Sequence, residues 1–290
     1  MTIVMAVARP DGVWVATDHR ITNIKTKEIL DHHRPKGFFL SCQDGWLTLG
    51  FTGIARFGGE RVTDWLTEVF KGGAGTVESA LAYLAKRATA DLSTFLINNG
   101  YAQVFLGGGI RGGKPFLASV ANVSGQADWT KEKPKPEFSV AFEETEMGRA
   151  SVAGQIRALS PEDVTHLMTL AQGPPREWKD ISEGLAEIVR RSSKNEEYGY
   201  AISPSSTTVF VSAMENAAQQ IDHWDEANPP SDDVRPVATV MGGMDFGQLE
   251  TAIAKFHTDL QSADETVRKA AEAGFATALK DAGLTMGNDD

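Results

Sequence analysis

Cysteine is nearly absent: Cys42 is the only one in 290 residues, which excludes an intramolecular disulfide framework and any CxxC metal-ligand pair. A reducing cytoplasm is the compartment that fits. A membrane-crossing run is also missing, since no apolar stretch approaches the ~20 residues a spanning helix needs. The N-terminal stretch, Met1-Thr2-Ile3-Val4-Met5-Ala6-Val7-Ala8, lacks the basic start of a signal peptide. Positive charge is in short supply, with 28 Lys plus Arg against 39 Asp plus Glu and a net of −11. A surface of that sign repels phosphate backbones and anionic headgroups, so neither nucleic acid nor membrane is an expected partner. Metal ligands are scarce too. His32 and His33 are adjacent, their side chains diverge in an extended segment, and no third ligand clusters nearby. Neither a metal nor a cofactor is expected.

What is present begins with turn signals between apolar runs. Residues 3–8 and 12–17 flank Pro10-Asp11-Gly12, and Gly37 to Ser41 and Trp46 to Thr52 flank Gln43-Asp44-Gly45. Each pattern predicts a β-hairpin. The period then changes to three and four residues, with Val62, Trp65, Leu66 and Val69 predicting a helix over 59–71. A second helix is predicted over 76–98 from Val77, Leu81, Leu84, Ala88, Leu92 and Phe95. Strands return at 102–106, 115–122 and 137–142, followed by helices over 161–172 and 178–192, which Gly173-Pro174-Pro175 separates. The last β stretches are 199–203 and 207–212.

Segregated blocks of strands and helices, rather than βαβ alternation, predict an α+β fold with antiparallel sheets, and a four-layer αββα sandwich would bury both. At 290 residues the chain can hold one large domain with an appendage. The expected division is a domain over 1–212, a linker or irregular segment over 213–245 around Asn228-Pro229-Pro230, and a C-terminal helical hairpin over 246–290.

Several motifs invite a functional reading that their context weakens. Gly108 to Lys114 matches GxxxxGK, but Pro115 stands where a phosphate-binding loop needs Ser or Thr, and a strand follows instead of a helix. It reads as a glycine-rich hairpin turn. Glu143-Glu144-Thr145-Glu146 offers paired carboxylates, yet an acidic run on an acidic protein reads as a solvated segment.

The first residues carry more chemistry. A hydroxyl is a weak nucleophile without a base in reach, and an N-terminal Thr supplies its own in the free α-amine. Removal of Met1, which a small second residue favours, exposes Thr2. That amine has a reference pKa of ~7.7–8.0, close to operating pH.

Thr2-Ile3-Val4-Met5-Ala6-Val7-Ala8, followed by Asp11-Gly12-Val13-Trp14-Val15-Ala16-Thr17-Asp18-His19-Arg20, resembles the opening of proteasome β-subunits and their bacterial two-component relatives. The likeness marks the chain as a divergent N-terminal-nucleophile hydrolase, with 1–212 as the hydrolase domain. By that resemblance Thr2 is the nucleophile, Asp18 orients the site and Lys36 is the family's buried lysine. Gly53, in Leu49-Gly50-Phe51-Thr52-Gly53, supplies the backbone oxyanion donor.

The resemblance implies hydrolysis of a peptide or small amide through an acyl-enzyme, homo-oligomeric assembly, and an unidentified regulatory ATPase as a partner to consider. The family's late Asp-x-x-Ser-Gly element reads here as Asn195-Glu196-Glu197-Tyr198-Gly199. That departure supplies the alternative expectation of a catalytically inactive structural or ring-forming subunit.

Overall fold

The computed structural model describes residues 2–23, 26–31, 34–124, 133–174, 176–213, 219–224, 238–241 and 244–245. Met1, His32-His33 and the expected helical hairpin over 246–290 lie outside the described residues. The chain opens with β1 (Ile3–Arg9) and β2 (Gly12–Asp18), paired antiparallel from Val4↔Thr17 to Arg9↔Gly12. Every residue of both strands is buried, which accounts for their continuous apolar sequence. A short ribbon of β3 (Ile21–Thr22) and β4 (Ile29–Asp31) precedes a second hairpin, β5 (Gly37–Cys42) and β6 (Gly45–Thr52).

Another ribbon, β7 (Arg56–Phe57) with β8 (Glu60–Arg61), leads into α1 (Val62–Phe70) and α2 (Val77–Asn99). Thr76 caps α2 by accepting the Ser79 N–H at 3.2 Å, and Asp44, from the β5–β6 turn, accepts the Val77 N–H at 2.7 Å.

Next come β9 (Val104–Arg111), β10 (Lys114–Ala121), β11 (Ser139–Glu144) and β12 (Arg149–Gly154). α3 (Pro161–Gln172) starts at a capping box between Ser160 and Asp163. The described chain continues through α4 (Trp178–Ser192), β13 (Ser206–Ser212), β14 (Gln219–Trp224), β15 (Ala238–Met241) and β16 (Met244–Asp245).

The strands make a five-stranded sheet, β12-β1-β2-β13-β14, and a seven-stranded sheet, β11-β10-β9-β6-β5-β15-β16. Their ladders are antiparallel except β5 with β15. Val4, Ala6, Val13 and Val15 of the first sheet meet Phe39, Leu106 and Leu117 of the second in one apolar cluster. On the second sheet, Phe38, Leu49 and Phe105 pack with Trp65, Leu66, Leu81 and Leu84 of α1 and α2. On the first, Ile3, Met5, Trp14 and Phe210 pack with Leu167, Leu170, Leu185 and Ile188 of α3 and α4. Trp14 stacks on Phe210 at 4.5 Å and is fully buried, so truncating it to Ala costs about 3–5 kcal/mol.

The expected four-layer αββα sandwich is corrected. The described residues are mostly antiparallel sheet with four helices and do not form a clear four-layer sandwich. Helix cover is incomplete, because α1 has only nine residues and none of the six residues of β11 is buried. Of the described residues beyond 212, β14 extends one sheet while β15 and β16 extend the other.

Smaller differences follow the same logic. Arg149–Gly154 is a strand because β1 offers it an edge, although its small residues carry little β signal. Gly199–Ala201 is a 3-10 turn, not a strand. Gly107 to Gly109 run inside β9, and the hairpin turns at Gly112-Gly113. Among the described residues, no helix is long and apolar enough to cross a membrane.

Candidate active site

Sequence order and sheet pairing bring four separated residues to one end of the two sheets. Thr2 immediately precedes β1, and Asp18 closes the antiparallel β2, so both occupy the same end of the first hairpin. Lys36 precedes β5 and Gly53 follows β6, which places them together at one end of the second hairpin. Thr2, Asp18 and Lys36 are all buried.

Asp18 is held by the backbone. Its Oδ1 accepts the Ile3 N–H at 3.0 Å, and its Oδ2 accepts the N–H groups of Arg20 at 2.9 Å and Ser203 at 3.1 Å. The Lys36 ammonium lies 3.3 Å from each carboxylate oxygen and also donates to the Arg20 carbonyl. Its remaining contact is the Thr2 hydroxyl, with Nζ donating to Oγ1. Burial pushes the Lys36 pKa below the ordinary lysine value. Asp18 opposes that shift, and the nearby Arg20 cation adds to it.

The backbone of Thr2 is clamped between the sheets. Its carbonyl accepts the Gln155 N–H at 2.9 Å, and the Thr52 hydroxyl donates to it at 3.4 Å. Gly154, at φ +99°, allows this approach, because a Cβ there would collide with the Thr2 carbonyl. Gly53, at φ +119°, is similarly constrained: a Cβ would strike the Ala102 carbonyl and the Gln103 side chain. That Gln103 oxygen accepts the Ile54 N–H at 2.7 Å, fixing the backbone just past Gly53.

Thr2, Lys36 and Gly53 line a cavity of about 540 Å³ whose walls also include Arg20, Leu30, Asp31, Phe51, Ile54, Arg56, Phe95 and Tyr101. A hydroxyl beside a perturbed amine at the floor of a mixed apolar and charged cavity is an arrangement suited to covalent attack on a bound carbonyl.

The four sequence-derived residues thus come together, while other motifs do not join them. Asn195 accepts the Glu197 and Tyr198 N–H groups, each at 3.0 Å, and so caps a turn. Tyr198 packs with the apolar residues beneath α3 and α4. It is Ser203, through its backbone, that reaches Asp18. Sequence reasoning missed Ser203, Thr52 and Gln103; for Ser203 the available signal was the serine-rich stretch Ser203-Pro204-Ser205-Ser206. Glu143 and Glu144 pair with Arg149 and Arg111 on the surface, and Lys114 lies on the β9–β10 hairpin rather than at a helix start. Cys42 takes no part, its thiol pushed up to about 12 by burial and by Asp44. Among the described residues, no group of three or more His, Cys, Asp or Glu side chains is assembled that could hold a metal ion.

No protein-family model and no curated protein matches the chain. Among solved structures it is similar to a Gly-1 mutant of Anbu from Hyphomicrobium sp. strain MC1, at 12% identity over all of both chains, with a TM-score of 0.50. It is also similar to a structure of the helical assembly of the Anbu complex from Pseudomonas aeruginosa. There the identity is 13% over 91% of this chain and 99% of that one, with a TM-score of 0.52. The expected resemblance to proteasome β-subunits is therefore corrected: the matched structures are Anbu proteins. At this level of identity the likeness is one of fold alone.

Proposed function

We propose that the chain is an N-terminal threonine hydrolase that cleaves amide or peptide bonds through an acyl-enzyme on Thr2. The observation that carries this reading is the direct contact of Lys36 Nζ with Thr2 Oγ1 at the floor of the cavity, with Asp18 behind it. Loss of Met1 frees the Thr2 α-amine. That amine takes the hydroxyl proton as Oγ1 attacks the substrate carbonyl. The oxyanion that develops is assigned to the Gly53 N–H, a donor of a kind worth about 3–4 kcal/mol. Collapse returns the proton to the departing amine and leaves an ester on Thr2. Water, deprotonated by the same α-amine, then releases the acid and restores the hydroxyl. Lys36, buried and paired with Asp18, sets the electrostatic field at Oγ1 and disfavours a second positive charge on the nearby amine.

The test is turnover of a panel of fluorogenic peptides and simple amides. Thr2→Ala abolishes it and Thr2→Ser retains part of it if the reading holds. Turnover undiminished in Thr2→Ala refutes it.

A second reading, a non-catalytic assembly subunit, is favoured by Asn195 and Tyr198 standing where the expected motif has Asp and Ser. It is also favoured by the helical assembly formed by the Anbu neighbour. This reading predicts defined homo-oligomers that survive Thr2→Ala, with no amide turnover in either protein. A monomer at micromolar concentration by sedimentation contradicts it.

A further inference from the structure

Among the described residues, not every charge around the cavity has an ion-pair partner. Asp31 is held by Arg34, Nε to Oδ2 at 2.5 Å, Lys36 by Asp18, and the Arg20 guanidinium donates to the Gly199 and Tyr200 carbonyls. Arg56 differs: it is exposed, lines the cavity, and has no ion pair among the described residues. Its cross-strand partner in the β7–β8 ribbon is Arg61. Like charges directly opposite on a ribbon destabilise it, and Arg61 at least has Asp64 at 3.6 Å. A cation set against another cation, on a chain of net charge −11, is an arrangement that a bound anion would relieve. The same cavity is also lined by Phe95 and Tyr101, their ring centroids 6.4 Å apart.

From this juxtaposition we propose that Arg56 is a specificity-determining residue, selecting amide substrates that place an apolar group in the cavity and a carboxylate at its rim. The proposal rests on the reading of Thr2 as the nucleophile, and its chemical class is an acidic peptide, with the carboxylate from a side chain or a chain end. A guanidinium suits this role because its fork geometry takes a carboxylate in two parallel hydrogen bonds.

The experiment compares two fluorogenic peptides that share the apolar group and differ only in a carboxylate or its carboxamide. The wild-type kcat/KM favours the carboxylate about fivefold, the upper range for an exposed pair, and the ratio shrinks with added salt. Arg56→Ala brings the ratio to one and Arg56→Glu inverts it. A wild-type ratio of one, or a preference that survives Arg56→Ala, overturns the proposal. In parallel, calorimetry on Thr2→Ala protein measures binding of the same uncleaved pair with and without Arg56→Ala. A carboxylate preference that Arg56→Ala removes supports the proposal even where nothing is hydrolysed, and that absence of hydrolysis counts against the Thr2 reading alone. Equal binding of the two peptides, or none, overturns it.

Discussion

Replacing Asp18 by Asn isolates the electrostatics beneath Thr2. The Asp18 side chain is fully buried and accepts three backbone N–H groups while facing the Lys36 ammonium. An Asn keeps one accepting oxygen and turns two N–H donors toward groups that are themselves donors. At least one of those backbone donors loses its acceptor, a loss of about 1–3 kcal/mol for a buried group. Breaking a buried ion pair by removing one partner costs about 3–5 kcal/mol. The two losses share the same atoms, so the total expected near neutral pH is about 3–5 kcal/mol, not their sum.

The pH dependence has a definite sign. Burial already holds the Lys36 pKa below its unfolded value, and losing Asp18 removes the main force that raises it. Between the folded and unfolded pKa values the unfolded state binds the extra proton, so stability rises with pH, by at most about 1.4 kcal/mol per pH unit. Below the folded pKa the full penalty of the buried cation is felt. The Asp18→Asn defect is therefore largest at low pH and shrinks as pH rises toward the ordinary lysine range. Urea unfolding followed by tryptophan fluorescence from pH 6 to 9, wild type against variant, measures it. A defect under about 1 kcal/mol that is flat with pH refutes the ion-pair account.

Other changes probe the remaining parts. Gly53→Ala, forced to φ +119° with its Cβ against Ala102 and Gln103, loses about 1–3 kcal/mol in thermal unfolding together with any amide turnover. Lys36→Met leaves Asp18 buried without its cation and is expected to abolish adduct formation at Thr2. Intact-mass labelling at a fixed inhibitor dose reads this out, and full labelling contradicts the role given to Lys36. Ser160→Ala removes one half of the α3 capping box and lowers stability by about 1 kcal/mol with turnover unchanged. Cys42, its thiol pushed up to about 12, reacts slowly with iodoacetamide in the native protein and readily after unfolding, and alkylation during brief native exposure leaves activity intact.

Local chemistry made some elements legible and not others. The β1–β2 and β5–β6 hairpins were readable because turn residues flanked by apolar runs carry their own instructions. α3 was bounded by Ser160-Pro161 and Gly173, which are local signals too. β12, β14 and β15 were not readable: each forms by adding to an edge supplied by a distant segment, so its own sequence need not announce it. In the site, Thr2, Asp18, Lys36 and Gly53 were nominated through the resemblance of their sequence surroundings to proteasome β-subunits. Ser203 could not be, because it contributes a backbone N–H that any residue carries, 185 positions away from the carboxylate it contacts. Arg56 escaped notice as well, since its meaning lies in facing Arg61 across a two-residue ribbon.

The central claim is that Thr2 acts through its own freed amine, and the most direct measurement is intact mass with peptide mapping after treatment with a hydroxyl-directed covalent inhibitor. The account predicts a chain that lacks Met1 and carries one adduct at Thr2, absent from Thr2→Ala. Active protein that retains Met1, or an adduct elsewhere with Thr2 untouched, contradicts it.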